Sequence, residues 1–126
     1  MAKVLIADDS RLHVHLLTGW LEESGVEVLP TFDSVQASIK AMRIQPDVIV
    51  LDINMPGGSG LDVLKRLKSS DKTKAIPVVV VSGTGSAEMR ELVQRLGAAE
   101  FLEKPLEHDK FCSLVAGLMP RRGVRR

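Results

Sequence analysis

Three carboxylates, one lysine and one hydroxyl stand at positions where chemistry is possible. In "KVLIADDS" an apolar run ends in the adjacent acids Asp8 and Asp9. Like charges at that range raise each other's pKa, and burial adds a desolvation cost, so a compensating charge must lie nearby. A third carboxylate, Asp52, ends "DVIVLD"; Ser82 ends "IPVVVVS", and Lys104 follows "AEFLE". If these runs are neighbouring strands, all five groups share one rim. Three carboxylates in one pocket call for a cation, and an all-oxygen site whose octahedron is completed by water suits Mg²⁺. The Lys104 ammonium and the Ser82 hydroxyl suit the equatorial oxygens of a phosphoryl group. Aspartate is an established nucleophile toward phosphorus, and the central acid, Asp52, is the natural acceptor.

The elements that must position these groups are legible as alternation. Short Val- and Ile-rich runs recur at "KVLIA", "VEVLP", "DVIVLD", "IPVVVVS" and "AEFLE", with helix-period segments between them. Leu16, Leu17, Trp20 and Leu21 are expected on one stripe of a first helix that Gly25 ends, and Phe111, Leu114, Val115 and Leu118 on a last one. Ser59 with Asp62 resembles a capping box, Ser86 suits the cap of "AEMRELVQRL" before Gly97, and "MRIQPD" closes the second helix at a proline. Continuously apolar strands joined by helical crossovers predict an α/β fold with a parallel sheet covered on both faces. In such sheets function gathers at the carboxyl edge.

Composition narrows the class. At 126 residues, 44% hydrophobic and 26% charged, the chain suits one domain. The formal charge is +1, but "RRGVRR" holds four arginines, which leaves 13 basic against 16 acidic residues in the rest. A polyanion-binding body is excluded by that balance. The single cysteine, Cys112, excludes an intrachain disulfide framework, and without a signal peptide or long apolar span a soluble cytoplasmic protein is expected, with no membrane partner.

The pair "DD", the segment "LDINMPGGSGLD", "VVVVSG" and "EFLEKPL" together resemble the receiver domain of bacterial two-component response regulators, over the chain up to Met119. The resemblance implies a CheY-like, flavodoxin-like doubly wound sheet of five parallel strands in the order 2-1-3-4-5. It implies a receiver over 1–119, with 120–126 a basic, disordered tail. Asp52 becomes the phosphoacceptor, and Asp8, Asp9, Asp52 and the Asn54 backbone carbonyl the Mg²⁺ ligands. Ser82, Lys104 and Gly83 contact the phosphoryl group, Ser82 and Phe101 form the switch, and the Lys104–Pro105 bond is cis and helps aim the lysine. On phosphorylation Ser82 moves inward and Phe101 rotates to bury its ring. Donors are a histidine kinase or phosphotransfer protein; an output protein is expected on the face of the fourth helix, fifth strand and fifth helix. The chain is expected to be a monomer or weak dimer, regulatory rather than an enzyme. Three departures stand out: Phe101 where tyrosine is common, Val35 where glycine is common, and Gly83 so small that it leaves the site open.

Singly, each residue has a plainer reading. Asp9 could favour a helix N-terminus, Ser82 could bond backbone at a strand end, Lys104 could be solvated and Phe101 core filling. His13 and His15, two apart, face different ways, so a metal role is not expected and His13 should pack near the rim; Cys112 should be a half-buried apolar group. Rival functions are weaker. "SGTGSAE" lacks the third glycine of a dinucleotide fingerprint, having Glu88 there. An aspartyl-phosphate phosphatase would normally carry a second Asp at the place of Asn54. Nucleic-acid binding rests on "RRGVRR" alone and is not expected. A receiver cut from a longer regulator with an output domain stands as the alternative to a stand-alone one.

Overall fold

Each of the five apolar runs forms a strand and each intervening segment a helix in the computed structural model, which describes residues 1–55 and 59–120. The order is β1 (Lys3–Ala7), α1 (Arg11–Glu22), β2 (Glu27–Thr31), α2 (Ser34–Ile44), β3 (Val48–Asp52), α3 (Gly60–Ser69), β4 (Val78–Ser82), α4 (Ala87–Arg95), β5 (Glu100–Glu103) and α5 (His108–Leu118). The strands form one sheet, β2-β1-β3-β4-β5, with parallel pairing throughout. The tail "RRGVRR" expected to be disordered, residues 121–126, lies outside the described residues.

Alternation along the central strands separates two apolar layers. Leu5, Ala7, Ile49, Leu51, Val78 and Val80 face the layer containing Ala37, Ala41, Val63, Leu64, Leu67 and Val93 from α2, α3 and α4. Val4, Ile6, Val48, Val50, Val79 and Val81 face Val14, Leu17 and Leu21 of α1 and Phe111 and Val115 of α5. Burial on both faces explains why β3 and β4 read as unbroken apolar runs. Each fully buried Leu, Ile or Val contributes about 1.5–3 kcal/mol. Pro30 is tolerated in β2 because that strand lies at the edge.

The helix stops hold, with local differences. Ser86 accepts from Met89 N–H to cap α4, and Gly97 follows at φ +104°. Ser59 caps α3 by accepting from Leu61 N–H at 3.0 Å, one residue short of the capping-box partner Asp62. Gln45, in the left-handed conformation, ends α2 before Pro46, and Asp33 caps its start. The expected stripe on α1 is corrected: Leu16 is exposed, and Val14 takes the buried place beside Leu17 and Leu21. Val35 lies in the first turn of α2, so no glycine-dependent turn exists there.

Candidate functional site

The carboxyl ends of β1, β3, β4 and β5 bring the predicted rim together. Asp8 follows β1, Asp52 ends β3 and Ser82 ends β4, and all three are buried; Asp9 is exposed beside them. Asp8, Asp9 and Asp52 each offer one oxygen, and these atoms lie within 4.8 Å of one another. The donor set fits a hard divalent cation: carboxylate oxygens, with one acid left open to solvent, suit Mg²⁺.

The charge that offsets the opening pair of acids is Lys104. Its Nζ donates to Asp52 Oδ2 at 3.0 Å and lies 3.3 Å from Asp8 Oδ2. Its backbone N–H donates to the Ser82 carbonyl at 2.8 Å, which ties the lysine to the end of β4, and the Lys104–Pro105 bond is cis. A second compensator, expected from the sequence only near the rim, is His13. Its Nδ1 lies 2.6 Å from Asp8 Oδ2. Its place in the first turn of α1, five residues after Asp8, was the available signal.

The two buried acids titrate in opposite directions. Burial pushes the Asp8 carboxyl up, but the His13 hydrogen bond, the Ser10 N–H and the Lys104 charge together hold it below the ordinary carboxylate value. An ionised Asp8 only accepts, so the shared proton sits on His13 Nδ1. Burial also raises Asp52, and there the Asn54 N–H at 2.9 Å and Lys104 do not overcome it, while the Asp8 charge adds to the rise. Lys104 is itself raised: burial works against its charge, and the bond to Asp52 and the two carboxylate charges outweigh that.

Ser82 is in the rim but does not reach the carboxylates. Its hydroxyl donates to the Thr84 carbonyl at 2.6 Å and accepts from Thr84 N–H at 3.2 Å, closing a local turn. At Gly83 an added Cβ would meet nothing within 4 Å, so this side of the site is open. The Phe101 ring, expected to bury itself on phosphorylation, is already buried in this structure. Arg90 stacks over it at 4.7 Å, and a Cβ on Gly85 would come within 3.0 Å of its Cε1.

The position of Asp52 depends on the return of the chain into α3. Gly60 N–H donates to the Ile53 carbonyl, and a Cβ at Gly60 would fall 2.3 Å from Ile53 Cα and 2.9 Å from the Asp52 carbonyl oxygen. Both are backbone atoms that cannot rotate away. Gly60→Ala is therefore expected to cost about 1–3 kcal/mol, read as a lowered urea midpoint; an unchanged midpoint would mean that the connection shifts freely.

The sequence profile described as the response regulator receiver domain matches residues 4–116. The chain is 31% identical over 119 residues to Protein PilH of Pseudomonas aeruginosa, covering 94% of this chain and 98% of that one. It is 31% identical over 112 residues to the polar-differentiation response regulator DivK of Brucella anthropi, covering 89% and 91%. The structure superposes on chemotaxis protein CheY4 of Vibrio cholerae with a TM-score of 0.88 at 28% identity, covering 94% of this chain and 99% of that one.

Proposed function

Because this chain belongs to the response regulator receiver family, we propose that it is a phosphorylation switch that accepts a phosphoryl group on Asp52 with Mg²⁺. The observation that carries this reading is the buried Asp52 carboxylate, held by Lys104 beside two further acids whose oxygens gather within 4.8 Å. Asp8, Asp9 and Asp52 would hold the metal, with the backbone carbonyl of Asn54, a residue whose N–H already donates to Asp52 Oδ1. Bound there, Mg²⁺ supplies neutralisation of the charge between the acceptor carboxylate and the phosphoryl oxygens.

The chain's own groups do the rest. The Asn54 N–H and Lys104 orient the Asp52 carboxylate, and the open side at Gly83 admits the donor, a histidine kinase or a phosphotransfer protein. Lys104 follows the growing charge from the carboxylate to the phosphoryl oxygens. Little covalent chemistry is asked of the protein; the work is positioning and charge stabilisation, as suits a regulatory domain rather than a turnover enzyme. No described helix is long and apolar enough to cross a membrane.

Readout runs through the turn after β4. To bond a phosphoryl oxygen, Ser82 must release the Thr84 carbonyl, which frees the segment leading to Gly85 and the Ser86 cap of α4. Gly85 N–H donates to Glu103 Oε2 at 3.3 Å and the residue abuts the Phe101 ring, so movement there reaches α4 and β5, on the face expected for an output protein. Thr84 and Gly85 thus couple the site to the Phe101 ring.

The test is intact-mass measurement after incubation with acetyl phosphate, with and without Mg²⁺, beside calorimetric Mg²⁺ titration. Wild type should gain one phosphoryl mass only with the metal. The Asp8→Asn, Asp9→Asn double variant should lose both Mg²⁺ binding and uptake; Mg²⁺ affinity equal to wild type would remove these acids from the metal site.

A further inference from the structure

Helix α2 is amphipathic in the wrong direction. Its buried positions, Ser34, Ala37, Ser38 and Ala41, are all small, while Val35, Ile39 and Met42, at i, i+4 and i+7, share another face. Val35 is 55% and Ile39 51% exposed. Branched aliphatics gain nothing from such a position in an isolated domain, and grouped exposure of this kind marks a contact surface. The three side chains line an open groove of about 450 Å³ beside α3, edged by Arg43, Arg66 and Lys72. Arg66 Nη1 donates to Ser38 Oγ at 3.2 Å, which holds the guanidinium across the groove.

We propose that this groove docks an acidic amphipathic helix of a partner protein, its apolar side on Val35, Ile39 and Met42 and its carboxylates on Arg43, Arg66 and Lys72. The sign of the edge selects the occupant. All three charged residues lining the groove are cations, on a domain whose residues outside "RRGVRR" carry 13 basic against 16 acidic groups. A second copy placed face to face would set the same cations against each other. The chain's own arginine-rich end carries the same wrong sign. A nucleic acid would meet the cations but leave the aliphatic floor unused, with no aromatic ring in the groove for a base to stack on. An acidic helix satisfies both the floor and the edge, by the helix-in-groove mode of recognition. This surface lies apart from the phosphoacceptor and from the α4, β5, α5 face, so it offers the switch a second partner.

The probe is a helical peptide of about 18 residues with leucines on one face and glutamates flanking them, titrated into the isotopically labelled full chain and followed by NMR. Shifts are expected at Val35, Ile39 and Met42. Ile39→Asp should weaken binding by about tenfold or more, while still taking up a phosphoryl group on Asp52 and melting as wild type does. Should Ile39→Asp melt early, Val35→Asp, in the same groove and more exposed, carries the same expectation. Arg43→Glu with Lys72→Glu should weaken the glutamate peptide and strengthen a lysine-flanked version. Equal binding of the two peptides to wild type, shifts confined to another face, or indifference to both aspartate variants would overturn the proposal. So would tighter binding of duplex DNA at the groove, or a dimer in sedimentation that Ile39→Asp dissolves.

Discussion

Asp52→Asn is expected to gain no phosphoryl mass under conditions that label wild type, and to fold at least as stably at neutral pH. The first expectation follows from nucleophilicity, since the amide offers no carboxylate to attack phosphorus. The second follows from titration. Asp52 is raised above its ordinary value by burial, and the Asp8 charge adds to this. A carboxyl raised in the folded state contributes stability below its unfolded pKa and loses it as the pH rises through the folded one. At neutral pH its charge therefore opposes folding, and asparagine removes that opposition. The gain should disappear in acid, where Asp52 is protonated in both states. Thermal melts at neutral and acidic pH, each beside intact-mass labelling, measure both effects; an Asn variant that labels like wild type would place the acceptor elsewhere.

Lys104→Ala should have the largest effect on the metal-free protein. The ammonium bridges Asp52 and Asp8, both almost fully buried. Removing one partner of a fully buried pair costs about 3–5 kcal/mol, but the Lys104 side chain is 27% exposed, so solvent screening reduces the expected loss to about 1–3 kcal/mol. Mg²⁺ should restore more stability to this variant than to wild type, because the lysine no longer competes for the same carboxylates. At a hundred times the dissociation constant, binding to the native state alone contributes about 2.7 kcal/mol. Phosphoryl uptake should slow by about tenfold or more, as a charge is lost from the transition state. Urea denaturation with and without Mg²⁺ reads the first pair of effects. If Mg²⁺ stabilises both proteins equally, Lys104 is not the group that offsets the acids.

Strands and rim were legible because both follow from one-dimensional pattern. Buried parallel strands must be apolar throughout, so "DVIVLD" and "IPVVVVS" announced β3 and β4, and the first polar residue after each marked the rim. What failed was local detail that depends on the neighbouring layer. Leu16 and Val14 are both compatible with an apolar face of α1, and the exact rotation of the helix on the sheet decides which is buried. The link from His13 to Asp8 crosses a strand–helix turn that spacing alone does not orient. The burial of Phe101 depends on Gly85, whose missing side chain leaves room for the ring. The outward aliphatic face of α2 was equally hidden, since periodicity shows that a helix has an apolar side but not where the sheet lies.

A phosphorus bonded to the Asp52 carboxylate is tested directly by locating the modified residue. Protein treated with acetyl phosphate and Mg²⁺ is reduced with borohydride, which converts an acyl phosphate to an alcohol at that side chain, and is then digested and sequenced by tandem mass spectrometry. Homoserine is expected at position 52, dependent on Mg²⁺ and absent from Asp52→Asn. Homoserine at position 8 or 9 instead, or a phosphoryl group found on a serine, threonine or histidine, would contradict it.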